Sequence, residues 1–349
     1  MRSAGGRRAR EPRRCRSRGG FTSGTRRAVG CVVVTTISPT TEPSVAPPST
    51  RPAVKSRSAK SRRSTIRAYA FLAPTLFFVV LLFIIPLGYN ILISFYDWSV
   101  IGRRDFIWLD NYTSVLTSDR FLNAAGNTVY FTFLTVPIGI VLSLVVALGF
   151  NALTITRGAS LVRALYFAPV VASLTAVAFV WLWIFNPAYG LANDILGGLG
   201  ISGQEWLTSE AQSIPSLAVM YVWARLGFNV IILLAGLNAI DRSYYEAARL
   251  DGAGPIRLLW SVTLPLLNRQ LVLVASVEVM NALKLFELPF VATSGGPVGS
   301  SRSMVMEIYE LAFRLDRWGE SAVYVVALFV FLVLVTGIIR KVFTKDISE

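Results

Sequence analysis

The sequence contains no histidine and only two cysteines among its 349 residues. Without histidine the chain cannot use Ser-His or Cys-His catalysis, a histidine-ligated metal centre or an imidazole proton shuttle. It also lacks the phosphate-cradling pattern G-x-x-x-x-G-K-[ST], so any ATP and Mg would have to be bound by another chain. Both cysteines, Cys15 and Cys31, lie close to the start of the chain, so no disulfide framework holds the rest together.

Charged residues are also scarce, at 15%, whereas 54% of the residues are hydrophobic. This balance is typical of a membrane protein. A backbone in hydrocarbon must form helices or a closed barrel, and the apolar runs lack the period-two alternation of barrel strands. We therefore predict an all-α membrane protein whose domain covers 67–345. Windows of about 20 apolar residues predict six transmembrane helices, at 69–93, 128–150, 161–185, 214–236, 271–291 and 322–339.

The first 66 residues have a different composition. Residues 1–68 hold 17 of the 34 basic and 2 of the 20 acidic side chains, so the remaining 17 basic and 18 acidic residues give a net charge of −1. The segment is rich in Ser, Thr, Pro and Gly, and we predict a disordered cytoplasmic tail or a start site placed too early. Its basic cluster at 55–67 could contact anionic lipid headgroups. Nucleic-acid binding or organelle targeting is the least favoured alternative.

The loops between the predicted spans carry an uneven share of Lys and Arg. If the chain starts inside, sixteen of these residues fall on the cytoplasmic side and six on the other. This asymmetry predicts that both termini are cytoplasmic. It also places the polar loop 237–268 in the cytoplasm.

Loop 237–268 is a polar island between two apolar spans. Adjacent alanines and charges of both signs favour a short surface helix. Ser243 lies three residues before Glu246, which is the spacing of a capping box. Gly252 and Gly254 then predict a helix stop and a turn.

This loop resembles the EAA loop of ABC-importer permeases, which share the type I, MetI-like fold. Val262 stands where isoleucine is usual in that pattern. In the family, the loop forms a coupling helix that sits in a groove of the cytoplasmic ATPase, so the resemblance implies ATPase-coupling roles. The residues concerned are Tyr245, Glu246, Ala247, Ala248, Asp251, Gly252, Leu264 and Pro265.

Six further segments carry a second resemblance. They are Phe71-Leu72-Ala73-Pro74-Thr75, Ser94-Phe95-Tyr96-Asp97-Trp98, Leu109-Asp110-Asn111-Tyr112, Asn127-Thr128, Phe286-Glu287 and Thr293-Ser294-Gly295-Gly296-Pro297. Together they resemble the carbohydrate-importer permeases of the maltose and glycerol-phosphate type. This resemblance implies a bacterial inner-membrane subunit that imports a sugar, a polyol or a glycerol-phosphate ester. It further implies a second, different permease, two ATPase subunits and an extracytoplasmic solute-binding protein.

Polar residues inside the predicted spans are candidates for the substrate path, because a charge in hydrocarbon costs about 3 kcal/mol or more. Carboxylates, amides and cations can bind sugar hydroxyls. In the fifth predicted span these residues recur every three positions, along one side of the helix. Structural ion pairs, such as Glu278 with Lys284 or Arg225 with a carboxylate, are the alternative. The candidates are Asn281, Glu287, Lys284, Glu278, Arg225 and Asn229.

Two other classes of protein compete with the importer subunit. A stand-alone secondary transporter or channel would also have six spans and intramembrane charges, but it gives loop 237–268 no role. An intramembrane hydrolase would need a nucleophile and a base, which the lack of histidine disfavours.

Overall fold

The computed structural model describes residues 58–102, 104–152 and 169–343. The chain divides into two units, Met1–Arg63 and Ser64–Glu349. Residues 58–66 belong to the first helix, and residues 1–57, on which most of the predicted disordered tail falls, lie outside the described residues.

Helices dominate the described chain, with one small antiparallel hairpin. Strand β1 is Tyr96–Trp98 and strand β2 is Arg104–Phe106, and Tyr96 lies opposite Phe106. The α-helices are α1 Ser58–Val79, α2 Ile85–Ile93, α3 Asp110–Leu116, α4 Asp119–Ala152, α5 Leu174–Ile184, α6 Leu191–Gly198, α7 Ser213–Ala239, α8 Arg242–Leu250, α9 Pro255–Leu258, α10 Leu264–Leu283, α11 Glu287–Ala292, α12 Met304–Tyr309 and α13 Trp318–Phe343. Wider π-helical turns cover Val80–Ile84, Leu259–Thr263 and Glu310–Arg314, and a 3₁₀ turn covers Trp206–Thr208.

Four of the six predicted spans are confirmed as helices long and apolar enough to cross a membrane. They are Tyr69–Ile93, Asp119–Ala152, Ser213–Ala239 and Trp318–Lys341. At about 1.5 Å per residue, the shortest of them reaches further than the roughly 30 Å of a hydrocarbon core.

Two of the three π-turns precede a proline at the same spacing. Val80–Ile84 ends two residues before Pro86, and Leu259–Thr263 ends two residues before Pro265. Proline has no N–H for the carbonyl four residues earlier, and its ring collides with that carbonyl in a regular α-helix. The wider turn accommodates the proline while the helix continues.

The fifth predicted span, 271–291, is wrong at both ends. The helix starts earlier, running without interruption from α9 through the π-turn into α10, and it ends at Leu283. Residues 284–286 break it, and α11 follows. Pro289 accounts for the break, since in a continuous helix its ring would collide with the carbonyl of Leu285.

Only part of the third predicted span, 161–185, can be compared, because 161–168 lie outside the described residues. In the described part the helix is interrupted at 172–173. A new helix, α5, starts after Ser173, whose hydroxyl accepts a hydrogen bond from the backbone N–H of Ala176 at 3.2 Å.

The core lies between α4, α7, α10 and α13. Its larger cluster includes Leu217, Tyr221 and Tyr324, and a second cluster around Val230 and Leu267 fills the space between α4, α7 and α10. In contrast, the apolar window of the first span has no buried residue. The first span therefore presents its apolar surface to lipid or to another protein.

Candidate functional site

Loop 237–268 forms a short helix, α8, with no buried residue. Asp241 is its N-cap, and its carboxylate accepts a hydrogen bond from the backbone N–H of Ser243 at 2.8 Å. That hydrogen bond holds the pKa of the Asp241 carboxyl below its ordinary value. The predicted capping box of Ser243 with Glu246 is wrong, because the extended backbone of Asp241 starts the helix two residues earlier.

The C-terminal end of α8 is fixed by Gly252. The N–H of Gly252 donates to the carbonyl of Arg249 at 3.0 Å, and the N–H of Ala253 donates to that of Ala248 at 2.9 Å. This pair of bonds is a Schellman motif, which requires a left-handed residue. Gly252 supplies it with φ +77°, and open space surrounds the position of a Cβ.

One side of α8 faces back toward the membrane helices. Its half-buried residues are Tyr245 and Ala248, three residues apart. The Tyr245 hydroxyl lies 3.3 Å from the hydroxyl of Thr263. Glu246 and Ala247 lie on the exposed side, so the helix has an inner and an outer face.

Large apolar side chains are exposed on this loop. Leu250, the last residue of α8, is 90% exposed, and Ile256 and Trp260 follow at 75% and 68%. Leu264 is half-buried and Pro265 is exposed at the start of α10. Exposed apolar residues on a polar element are a mark of a protein-binding surface.

Glycine also allows the helices on either side of α8 to come close together. A Cβ at Gly236, near the end of α7, would lie 2.6 Å from the Cγ of Gln270 and 2.7 Å from a methyl of Leu267, both on α10. α7 and α10 are therefore packed tightly just above the loop.

The predicted substrate-path residues separate into two groups. Arg225 on α7 donates from Nη2 and Nε to Oε1 of Glu278 on α10 at 3.0 and 3.1 Å, and the Tyr221 hydroxyl donates to Oε2 at 3.1 Å. The guanidinium also lies 4.8 Å from the ring centre of Phe228. Asn229, one turn further along α7, is buried, and its Oδ1 has no hydrogen-bond partner in the structure as described. We call Tyr221, Arg225 and Glu278 the α7–α10 joint.

The second group lies around the break after α10. Asn281 is half-buried, while Lys284 and Glu287 are exposed and belong to no ion pair among the described residues. Asn281 follows Glu278 on α10, but the expectation that Lys284 and Glu287 share that helix face is wrong, since the helix ends at Leu283 and Glu287 begins α11.

Sequence reasoning missed a charged cluster near the start of α4. Glu307 on α12 is fully buried and accepts hydrogen bonds from Arg120 and Arg302. Arg120 lies 187 residues from Glu307 along the chain. The local signal was two glutamates, Glu307 and Glu310, in a largely apolar stretch, and it did not identify the partners.

Among the described residues, no group of three or more Asp, Glu or Cys side chains is placed to hold a metal ion.

Residues 112–349 match the protein family described as "Binding-protein-dependent transport system inner membrane component". The chain is 31% identical over 286 residues to the sulfoquinovosyl glycerol transport system permease protein of Agrobacterium fabrum, covering 80% of this chain and 91% of that protein. It is 31% identical over 281 residues to the trehalose/maltose transport system permease protein of Thermococcus litoralis, with 80% and 94% covered. It is 32% identical over 291 residues to an sn-glycerol-3-phosphate transport system permease protein of Escherichia coli, with 81% and 96% covered.

Among solved structures, the chain resembles a crystal structure of a bacterial ABC transporter involved in the import of the acidic polysaccharide alginate. The TM-score is 0.70 at 20% identity, with 83% of this chain and 99% of that chain covered. A second alginate transporter structure, in complex with an alginate pentasaccharide-bound periplasmic protein, matches with a TM-score of 0.67 at 22% identity, covering 82% and 96%. This likeness concerns the fold.

Proposed function

Because the chain belongs to the family of binding-protein-dependent transport system inner membrane components, we propose that it forms part of the membrane path for a sugar or related polyol in an ATP-driven importer. It is a non-catalytic permease subunit of the inner membrane. The names of three relatives specify sulfoquinovosyl glycerol, trehalose or maltose, and sn-glycerol-3-phosphate. A polyhydroxylated solute is common to them.

The proposal rests on the exposed helix α8, which we assign as the coupling helix on which an ATPase subunit docks. Leu250, Ile256 and Trp260 give the loop an apolar surface in a polar setting, which a protein groove would cover. The Schellman motif at Gly252 sets the direction in which the chain leaves the helix. ATP and Mg are bound by the partner ATPase subunits.

Movement of α8 passes to the membrane helices through α7 and α10. Gly236 lets these helices touch next to the loop, and the Arg225–Glu278 ion pair ties them together further along. Tyr245 links α8 to the turn that starts α10. We infer that these helices tilt as one rigid body when the ATPase subunits close, switching the path between inward and outward access.

The solute path includes Asn281, Lys284 and Glu287. A charged side chain that faces lipid hydrocarbon costs about 3 kcal/mol. The exposed side chains of Lys284 and Glu287 therefore face water or another protein. Amide, ammonium and carboxylate groups supply donors and acceptors for hydroxyls. Arg225 and Glu278 satisfy each other, so we assign them to the α7–α10 joint.

The remaining partners are a second permease and an extracytoplasmic solute-binding protein. A second permease would cover the apolar first span and close the path on the side of Lys284 and Glu287. We place both termini in the cytoplasm, on the basis of the sixteen-to-six distribution of basic residues. In a stand-alone secondary transporter, the exposed apolar residues of the α8 loop would have no partner.

The test is affinity purification of the tagged chain in mild detergent, with mass spectrometry of the proteins recovered. We expect an ATP-hydrolysing subunit and a second permease, and ATP-dependent uptake of a radiolabelled sugar when the complex and its binding protein are placed in proteoliposomes. A chain that purifies alone and moves solute without ATP would contradict the proposal.

A further inference from the structure

Five aromatic rings form an unbroken series of contacts from the break after α10 to the start of α13. The centres of Phe286 and Phe290 lie 4.7 Å apart in a stacked arrangement, and Phe290 lies 5.4 Å from Tyr309. Tyr309 lies 5.5 Å from Phe313, which lies 5.2 Å from Trp318. We call this series the aromatic ladder.

The aromatic ladder is not part of the buried core. Phe313 is 67% exposed, and the other four rings are half-buried. Core rings such as Tyr221 and Tyr324 are only 2% exposed. Each ring of the ladder therefore keeps part of its surface free for a ligand.

Polar groups border the ladder. Glu287 lies between Phe286 and Phe290 on α11, and its exposed carboxylate belongs to the residues proposed for the solute path. At the middle of the series, Arg314 pairs with Glu310 at 3.6 Å, and its guanidinium lies 6.0 Å from the ring centre of Tyr309. Hydrogen-bonding groups thus flank aromatic faces along the series.

Aromatic faces flanked by hydrogen-bonding groups match the chemistry of a pyranose. Such a ring has an apolar C–H face and a rim of hydroxyls, which suit an aromatic face and charged neighbours respectively. An anchoring belt at the membrane interface would use Trp and Tyr and would not require successive ring contacts. Three of the five rings are phenylalanines, which lack the polar group of such anchors.

We propose that the aromatic ladder is a stacking track for the pyranose rings of the transported solute. It leads from Trp318, at the start of α13, to Phe286 in the break after α10, next to Glu287. The inference rests on the proposed function, in that the solute is a carbohydrate. It adds a binding surface to the path residues Asn281, Lys284 and Glu287.

The experiment measures uptake by the complete transporter in proteoliposomes, using labelled maltose, trehalose and sucrose, with glycerol 3-phosphate as a ringless comparator. Phe290→Leu and Phe313→Leu keep an apolar side chain of similar size while removing the ring. Phe313→Trp keeps a ring. Phe179→Leu, at a residue 63% exposed on α5, is the matched control.

We expect Phe290→Leu and Phe313→Leu each to lower kcat/KM for the transported pyranoside about 2- to 10-fold. Phe313→Trp should restore uptake, and Phe179→Leu should leave it unchanged. The stacking track would be overturned by unchanged uptake in both leucine variants, or by uptake in Phe313→Trp as low as in Phe313→Leu. Neither result would contradict the proposed function as a sugar importer. A wild-type transporter that moves only glycerol 3-phosphate would overturn both the sugar assignment and the pyranose track.

Discussion

The α7–α10 joint ties two helices together and the α8 loop connects the same two helices, yet buried and exposed side chains are distributed in opposite ways in the two regions. At the joint, charged Glu278 is buried and bonded to Arg225 and Tyr221. At the loop, apolar Leu250 and Trp260 are exposed.

Each departure from ordinary burial has a physical reason. A charge without water needs a partner, so the ion pair fixes two helices against each other within the chain. Covering an exposed apolar side chain with another protein removes it from water and so lowers the free energy. The difference indicates that the α7–α10 joint holds the helices rigidly together, whereas the α8 loop leaves an apolar surface for a partner protein to cover.

The largest effect should come from breaking the joint. Glu278→Ala leaves the Arg225 guanidinium and the Tyr221 hydroxyl without their acceptor in a region largely shielded from water, so we expect a loss of about 3 kcal/mol in stability. Thermal unfolding of the purified permease measures this loss. The double variant Glu278→Ala with Arg225→Leu removes the stranded charge and should recover much of it. If the double variant is as unstable as the single one, the ion pair is not what holds α7 to α10.

A smaller effect is expected at the end of α8. Gly252→Ala places a side chain in the left-handed region, at a cost of about 1 to 2 kcal/mol, so the Schellman motif should rearrange. We expect normal amounts of folded permease, with ATP hydrolysis uncoupled from uptake. Gly254→Ala is the matched control, because Gly254 also has open space around its Cβ position but has φ −72°. Equal coupling in the two variants would remove Gly252 from the coupling mechanism.

The smallest effect on stability should come from the apolar surface of the loop. Leu250→Ser and Trp260→Ser change exposed side chains, so unfolding should shift by no more than about 0.5 kcal/mol. The dissociation constant for the ATPase subunit, by contrast, should rise about tenfold in each variant. Binding of the purified ATPase to permease in nanodiscs measures this constant. An unchanged constant in both variants would show that the ATPase binds elsewhere.

Features with a local cause could be predicted from the sequence. Four long apolar runs predict helices, and the glycine that ends α8 predicts a stop because few other residues adopt its positive φ. The N-cap of α8 is Asp241 rather than Ser243, and the sequence does not decide between them, because both are good N-cap residues and only the backbone conformation selects one.

Features that depend on distant residues could not be predicted. In the sequence, Arg225 and Lys284 are both candidate ion-pair partners for Glu278. The fold pairs Glu278 with Arg225 rather than with Lys284. The aromatic ladder joins residues from three helices and the turn between two of them, so no single period in the sequence reveals it. The break at 284–286 had a local signal in Pro289, but continuous hydrophobicity concealed it.

The central claim is that the α8 loop docks on the ATPase, and site-specific photocrosslinking tests it most directly. A photoreactive amino acid would replace Leu250 in one sample and Ile101, in the hairpin turn after β1, in another. The two side chains are equally open, at 90% and 92% exposed, so exposure alone cannot separate them. We predict that the complex crosslinks to its ATP-hydrolysing subunit from position 250 and not from position 101. Crosslinking to that subunit from 101, or its absence from 250, would contradict the assignment of α8 as the coupling helix.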